Sequence, residues 1–211
     1  MNIHTVLFDL DGTLIDTNEL IIASFTHTFK HYELNFTREE IIEFNGPPLV
    51  ETFTNIDPDR VDEMIDVYRE HNLRVHDNYV EAFPYVLETL KQLKERDIKI
   101  GIVTTKMTDS VNRGLKIAKL EGLFDTMVTL DDVTHPKPHP EPVLKAMKAL
   151  DAKASTTLIV GDNSHDIESG QNAGVKTAGV AWSFKGRERL QQLNPTYMLE
   201  DMRDLLKIVG G

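Results

Sequence analysis

A chain of 211 residues is long enough for one domain, or one domain carrying a smaller insert, around a well-buried core. It has no cysteine, which excludes disulfides and thiolate metal sites, and no basic leader ahead of Lys30, so the expected location is cytoplasmic. With 23 basic against 34 acidic residues the formal charge is −11, which argues against a nucleic-acid surface, and no apolar run approaches the length of a bilayer span. The same charge repels small anions at long range, so an anionic substrate would need a bound cation and a few placed Lys or Arg residues to reverse the field locally.

In chain order, Val6-Leu7-Phe8 reads as a buried strand that delivers Asp9 and Asp11 to its carboxyl end before Gly12 lets the backbone turn. In an α/β protein that end is where ligands sit. Two carboxylates this close repel one another unless a cation, a proton or a set of donors offsets them. A plain Asp-Gly surface turn uses the same residues. A calcium loop does not fit, because Gly12 follows Asp11 directly.

Asp16 or Thr17 then caps a predicted helix to about residue 31, with Leu20, Ile21, Phe25, Thr28 and Phe29 near helical spacing. Thr37 followed three places on by Glu40 has the capping-box form and opens a second helix, ended by Gly46-Pro47-Pro48. Residues 58 to about 74 carry Val61, Met64, Ile65, Tyr68 and Leu73 in another amphipathic pattern. Residues 16–80 therefore read as three or four helices without a strand.

From Pro84, suited to the first position of a helix to about residue 96, the rhythm changes. Strand signals at 99–104, 126–130, 157–160, 177–181 and 197–199 alternate with helical stretches, including one from Asp109 to about residue 119. That alternation predicts parallel pairing with right-handed crossovers. The expected fold is α/β, a Rossmann-like, mostly parallel sheet core made of residues 1–15 plus 81–211, with a small helical insert at 16–80.

Three later strand ends carry chemistry-bearing groups. Thr104-Thr105-Lys106 puts hydroxyls and an amine just past a strand, where a threonine also serves as a helix cap. In His135-Pro136-Lys137-Pro138-His139-Pro140 the alternate prolines are expected to hold Lys137 in a stiff, extended segment, which reduces the entropy lost in fixing its amine. The flanking histidines lack further ligands nearby in sequence and read as solvated or hydrogen-bonded. In Gly161-Asp162-Asn163-Ser164-His165-Asp166, Asp162 or Ser164 could merely cap a helix and Asp166 could be a first-turn acid. Taken with Asp9 and Asp11, however, these residues form a set of hard oxygen ligands better suited to Mg²⁺ than to Zn²⁺.

The order Asp9-Leu10-Asp11-Gly12-Thr13, Thr104, Lys137-Pro138-His139-Pro140 and Gly161 to Asp166 resembles the four motifs of the haloacid-dehalogenase-like (HAD) superfamily over nearly the whole chain. The insert resembles the small cap of the phosphoglycolate-phosphatase-like branch. Within that branch, Gly179-Val180-Ala181-Trp182-Ser183-Phe184-Lys185-Gly186-Arg187 and Asn45-Gly46-Pro47-Pro48-Leu49 look most like the bacterial HPr-linked inorganic pyrophosphatases. The resemblance implies that Asp9 is a nucleophile forming an aspartyl-phosphate and Asp11 a general acid and base, with Thr104 and Lys137 holding the transferring group. It also implies Mg²⁺ held by Asp9, the Asp11 backbone carbonyl, Asp162 and, through water, Asp166.

Gly46, Thr105 and Lys106 are candidate substrate contacts, and Lys106, Lys185 and Arg187 candidates for a second phosphate; Trp182 reads as packing. The implied substrate is a small phosphorylated anion, with pyrophosphate favoured over phosphoglycolate or another small phosphomonoester. A catalytically idle phosphate- or metal-binding protein is the alternative of another class. Asp11 separates the chain from metal-independent dehalogenases, and Ile21, twelve residues after Asp9 where the related hexose-phosphate mutases carry a histidine, favours hydrolysis. No protein partner is specified by the sequence.

Overall fold

The computed structural model describes residues 3–209. Its centre is a six-stranded sheet of β1 (Thr5–Phe8), β4 (Lys99–Val103), β5 (Thr126–Val128), β6 (Thr157–Gly161), β7 (Lys176–Val180) and β8 (Tyr197–Leu199), in the spatial order β5-β4-β1-β6-β7-β8. Every pairing in it is parallel; Thr5 lies opposite Lys99 on one side and Thr157 on the other. The chain leaves β1 outward through β4 and β5, then returns to β6 on the opposite side. The direction of travel therefore reverses beside β1, and such a switch opens a crevice at the carboxyl ends of the strands.

The central strands β1, β4 and β6 read as apolar runs because both faces of the sheet are covered there. Val6, Phe8, Ile100, Ile102, Leu158 and Val160 point to one face, with α5 (Val86–Glu95), α6 (Thr108–Ile117) and α10 (Leu205–Ile208). Alternate residues Leu7, Val103 and Ile159 point to the other, where α7 (Glu141–Ala149) packs Val143, Ala146 and Met147. Two further helices, α8 (Ser164–Asn172) and α9 (Arg187–Gln191), flank β7. The fold is the expected Rossmann-like α/β arrangement.

Directly after the acidic loop come β2 (Ile15–Asp16), α1 (Asn18–His31), α2 (Arg38–Glu43), α3 (Leu49–Ile56), α4 (Val61–Val75) and β3 (Glu81–Ala82). The four helices bury their own cluster of Phe25, Phe29, Ile41, Phe53, Met64 and Tyr68. Most of its aromatic rings meet edge-on or tilted, as for Phe25 and Phe53 with centroids 5.7 Å apart, while Phe25 and Phe29 stack at 5.6 Å; ring quadrupoles favour both edge-on and offset-stacked contacts. Thr37 and Glu40 form the expected capping box at α2.

Several expectations are corrected. Residues 15–16 and 81–82 form a two-stranded antiparallel ribbon, Ile15 opposite Ala82 and Asp16 opposite Glu81, where no strand was expected at residue 16. Helix α3 follows Pro48 immediately. Leu73 is 46% exposed and belongs to no core. Pro84 is not the first helical residue, because Tyr85 adopts a left-handed φ of 65° and the helix begins at Val86. Strand β5 stops at Val128, since the Thr129 amide donates to Asp132 Oδ2 at 2.8 Å and turns the chain into a short 3-10 helix. No helix among the described residues is long and apolar enough to cross a membrane.

Between α4 and β3 lies His76, fully buried, its Nε2 without a hydrogen-bond partner among the described residues. Burial, and then the Lys106 charge, hold its pKa below the ordinary 6.5, against the upward pull of Asp77, which also accepts from Arg113 Nε. The unfolded chain therefore takes up a proton near pH 6.5 that the folded chain refuses, so this contribution to stability is complete above that pH and is lost as pH falls through it. The melting temperature is expected to fall further between about pH 7.5 and about pH 5.5 in the wild type than in His76→Asn. Parallel pH profiles in a thermal melt would contradict this.

Candidate active site

Asp9 leaves the end of β1 with its amide bonded to the Val160 carbonyl of β6, which aims its buried carboxylate into the crevice. The loop then closes tightly, Thr13, Leu14 and Ile15 all donating to the Leu10 carbonyl and the Gly12 amide to Ile15. Gly12 is required here. Its φ is +77°, and a Cβ would come 2.5 Å from Asp162 Oδ2, so only a glycine lets the acidic loop lie against the end of β6.

Lys137 joins the strand ends. Its Nζ donates to Asp9 Oδ1 at 2.7 Å, to Asp166 Oδ1 at 2.6 Å and to the Val103 carbonyl at 2.9 Å, which uses all three ammonium protons. The residue lies in a turn rather than the expected extended segment. The His139 amide closes that turn onto the Pro136 carbonyl, and the Glu141 carboxylate takes the amides of Thr134 and His135. His135 Nδ1 meets the same carboxylate and His139 Nδ1 accepts the Glu141 amide, so both histidines are hydrogen-bonded.

Asp9, Asp162 and Asp166 each bring a carboxylate oxygen within 4.8 Å of the others, and all three are buried. Burial pushes Asp9 up to about 7 against the pull of Lys137, with Asp166 adding to the rise; the ammonium is shared among three acceptors and cannot offset the lost hydration. Burial, then Asp9 and Asp166, raise Asp162 well above the usual carboxylate range; the Thr13 hydroxyl donates to its Oδ1 at 3.4 Å. Burial works against the Lys137 charge, yet Asp166 and Asp9 hold its pKa above the ordinary lysine value.

The Asp11 carboxylate lies outside that group of three. Its Oδ1 accepts both Thr17 Oγ1 and Lys106 Nζ, each at 2.7 Å. Thr17 thus spends its hydroxyl on Asp11 instead of capping α1, and Asp16 Oδ1 takes the Asn18 amide. Thr104 is buried at the end of β4, its hydroxyl accepting the Lys106 amide at 3.2 Å. Thr104, Thr105, Lys106 and Gly46 all line one cavity of about 330 Å³ with Asp9, Asp11, Lys137, Asp162 and Asp166.

The geometry thus gathers four widely separated sequence motifs. Residues 6–180 also match the family model described as haloacid dehalogenase-like hydrolase. The chain belongs to the haloacid dehalogenase-like hydrolases. It is 58% identical over 210 residues to "Pyrophosphatase PpaX" of Oceanobacillus iheyensis, covering 100% of this chain and 98% of that one. A relative of the same name from Anoxybacillus flavithermus is 57% identical over 211 residues, covering 100% and 98%. Among solved structures, a haloacid dehalogenase-like family hydrolase from Streptococcus pneumoniae superposes with a TM-score of 0.86 at 25% identity, covering 97% of each chain.

In this haloacid dehalogenase-like hydrolase the helical unit reaches the site through Asn45 and Gly46. Asn163 Nδ2 donates to the Asn45 carbonyl at 3.0 Å, and a Cβ on Gly46, whose φ is +113°, would fall 2.3 Å from that nitrogen. Lys185 and Arg187 lie outside the cavity lining. Lys185 Nζ donates to the Glu43 carbonyl at 3.1 Å and Arg187 pairs with Glu200. Trp182 packs near Phe83 against the core. Sequence reasoning missed Thr17, whose signal was its place eight residues after Asp9 in a turn that folds back, and Arg69 of α4, which lines the cavity and carried no signal apart from its helical face.

Proposed function

We propose that this hydrolase cleaves inorganic pyrophosphate with Mg²⁺, through an aspartyl-phosphate on Asp9, and that residues 16–80 serve as a cap over a core of residues 1–15 plus 81–211. The observation that carries the reading is the Lys137 ammonium spanning Asp9 and Asp166 beside Asp162 at the sheet's switch point. The two pyrophosphatase relatives, alike in name and matched over nearly their full length, support the substrate.

The donor set fits a hard divalent cation. Three buried carboxylates face one ammonium, and they offer oxygen and no sulfur or imidazole. Asp9, Asp162 and the Asp11 carbonyl would hold the ion directly. Both Asp166 oxygens already have partners, Lys137 and the Asn163 amide, so Asp166 would act through water. Once bound, the ion would neutralise charge building on the phosphoryl oxygens.

Asp9 Oδ1 accepts from Lys137 and would share its other lone pair with the ion, which leaves Oδ2 to attack phosphorus in line. Thr104 holds a phosphoryl oxygen through its hydroxyl, and the Lys137 charge, its three protons already engaged, offsets repulsion between the carboxylate and its substrate. Asp11, its Oδ1 fixed by Thr17 and Lys106, uses Oδ2 to give a proton to the leaving phosphate. It then takes one from the water that attacks the acyl phosphate, releasing inorganic phosphate and restoring Asp9.

Steady-state kinetics with pyrophosphate and phosphoglycolate test the reading. kcat/KM is expected to favour pyrophosphate by at least about tenfold, or about 1.4 kcal/mol of transition-state discrimination. Turnover should vanish in EDTA and return with Mg²⁺. Faster turnover of phosphoglycolate, or pyrophosphate hydrolysis that survives EDTA, would overturn it.

A further inference from the structure

Three cations line the cavity, and two of them are committed to carboxylates: Lys137 to Asp9 and Asp166, Lys106 to Asp11. The third is Arg69, on α4 of the helical unit. It makes no hydrogen bond and no ion pair with any described residue, and it is solvent-exposed. Its neighbour Tyr68 is buried in the aromatic cluster, against Phe25 and Phe53, and Asn72 one turn on donates to Ser24 Oγ at 3.2 Å. The helix face that carries Arg69 is therefore fixed over the opening. Arg69 also faces the core across that opening: Asp131, held below the ordinary carboxylate range chiefly by its bonds from Thr108, is lowered further by the Arg69 charge.

A substrate whose leaving group is itself an anion meets five carboxylates in this cavity, those of Asp9, Asp11, Asp109, Asp162 and Asp166, on a chain of net charge −11. The cations that face the attacked phosphorus are already engaged. A second negative group needs a cation farther out, and a guanidinium can meet a phosphate through two parallel hydrogen bonds. We propose that Arg69 is the receptor for the leaving group, selecting phosphoryl donors whose departing half carries its own negative charge, the second phosphate of pyrophosphate first among them. This rests on the reading of the site as that of a phosphohydrolase attacking through Asp9. Lys106, Lys185 and Arg187, the sequence candidates for that role, have other partners.

The test compares the wild-type chain with Arg69→Ala and Arg69→Lys at saturating Mg²⁺, on pyrophosphate and on methyl phosphate, whose leaving group carries no charge. Arg69→Ala is expected to raise KM for pyrophosphate on the order of 10- to 100-fold, the loss of one charge-assisted contact pair, with Arg69→Lys in between. Methyl phosphate should lose less than about threefold in kcat/KM, a margin within the scatter of exposed substitutions. The KM for pyrophosphate should also rise less steeply with salt in Arg69→Ala than in the wild type. Equal losses on both substrates, or an unaltered pyrophosphate KM in an active enzyme, would overturn the assignment while leaving the phosphohydrolase reading intact. A wild-type chain inactive on both substrates would overturn that reading and this inference with it.

Discussion

Asp9→Asn is expected to lower kcat for pyrophosphate by at least about 10³-fold while leaving the chain folded. The amide cannot supply the oxygen that bonds to phosphorus, so the two-step path closes, and what survives comes from positioning and charge alone. The fold should persist because Lys137 keeps Asp166 and the Val103 carbonyl as acceptors when the charge on Asp9 is gone. A quenched reaction with phosphorus-labelled pyrophosphate checks the covalent step: wild type should yield a base-labile labelled protein and the variant none. A variant retaining more than about a tenth of wild-type kcat would remove Asp9 from the nucleophile's role.

The second large effect concerns stability as well as rate. Lys137→Met replaces the ammonium with an apolar side chain of similar reach and leaves Asp9, Asp162 and Asp166 buried with no cation among them. Removing one partner of a buried pair costs about 3–5 kcal/mol, because the remaining charge keeps its desolvation penalty and loses its offset. Urea unfolding without divalent cation should show that loss, and Mg²⁺ should restore more stability to the variant than it adds to the wild type, since it binds the folded state and supplies the missing positive charge. Turnover should be abolished in both conditions. A variant as stable as wild type in EDTA would mean that the carboxylates are compensated by something other than Lys137.

The centre of the sheet was legible because β1, β4 and β6 are buried on both faces and read as apolar runs, and because each of these three ends in a residue with chemistry: Asp9 after β1, Thr104 after β4, Asp162 after β6. The site was legible for the same reason, its reactive groups being tied to strand ends. What the sequence hid depends on contacts between distant segments. The ribbon of β2 and β3 is two residues per strand, too short for an alternation to show, and its pairing spans residues 15 to 82. Helix α3 carries Leu49, Phe53 and Ile56 at helical spacing, but it is eight residues long and directly follows two prolines that read as the end of a helix. Thr17 looks like a cap until its hydroxyl is seen on Asp11. Arg69 reads as one more solvated residue on an amphipathic helix, and its cavity exists only once that helix lies over the sheet. The turn around Lys137 depends on Glu141 reaching back to Thr134 and His135, a contact that proline stiffness alone did not foretell.

The two-residue ribbon also has a consequence for how such a chain can change over time. Asp16 and Glu81 are ladder partners, so the helical stretch departs and comes back at points about 5 Å apart. Apart from that socket the hub meets the appendage at a few side-chain contacts, such as Asn163 with Asn45 and Lys185 with Glu43. Shorter, longer or wholly different appendages can be plugged in there by insertion or recombination, altering which molecules are admitted while the hydrolytic engine below is inherited intact.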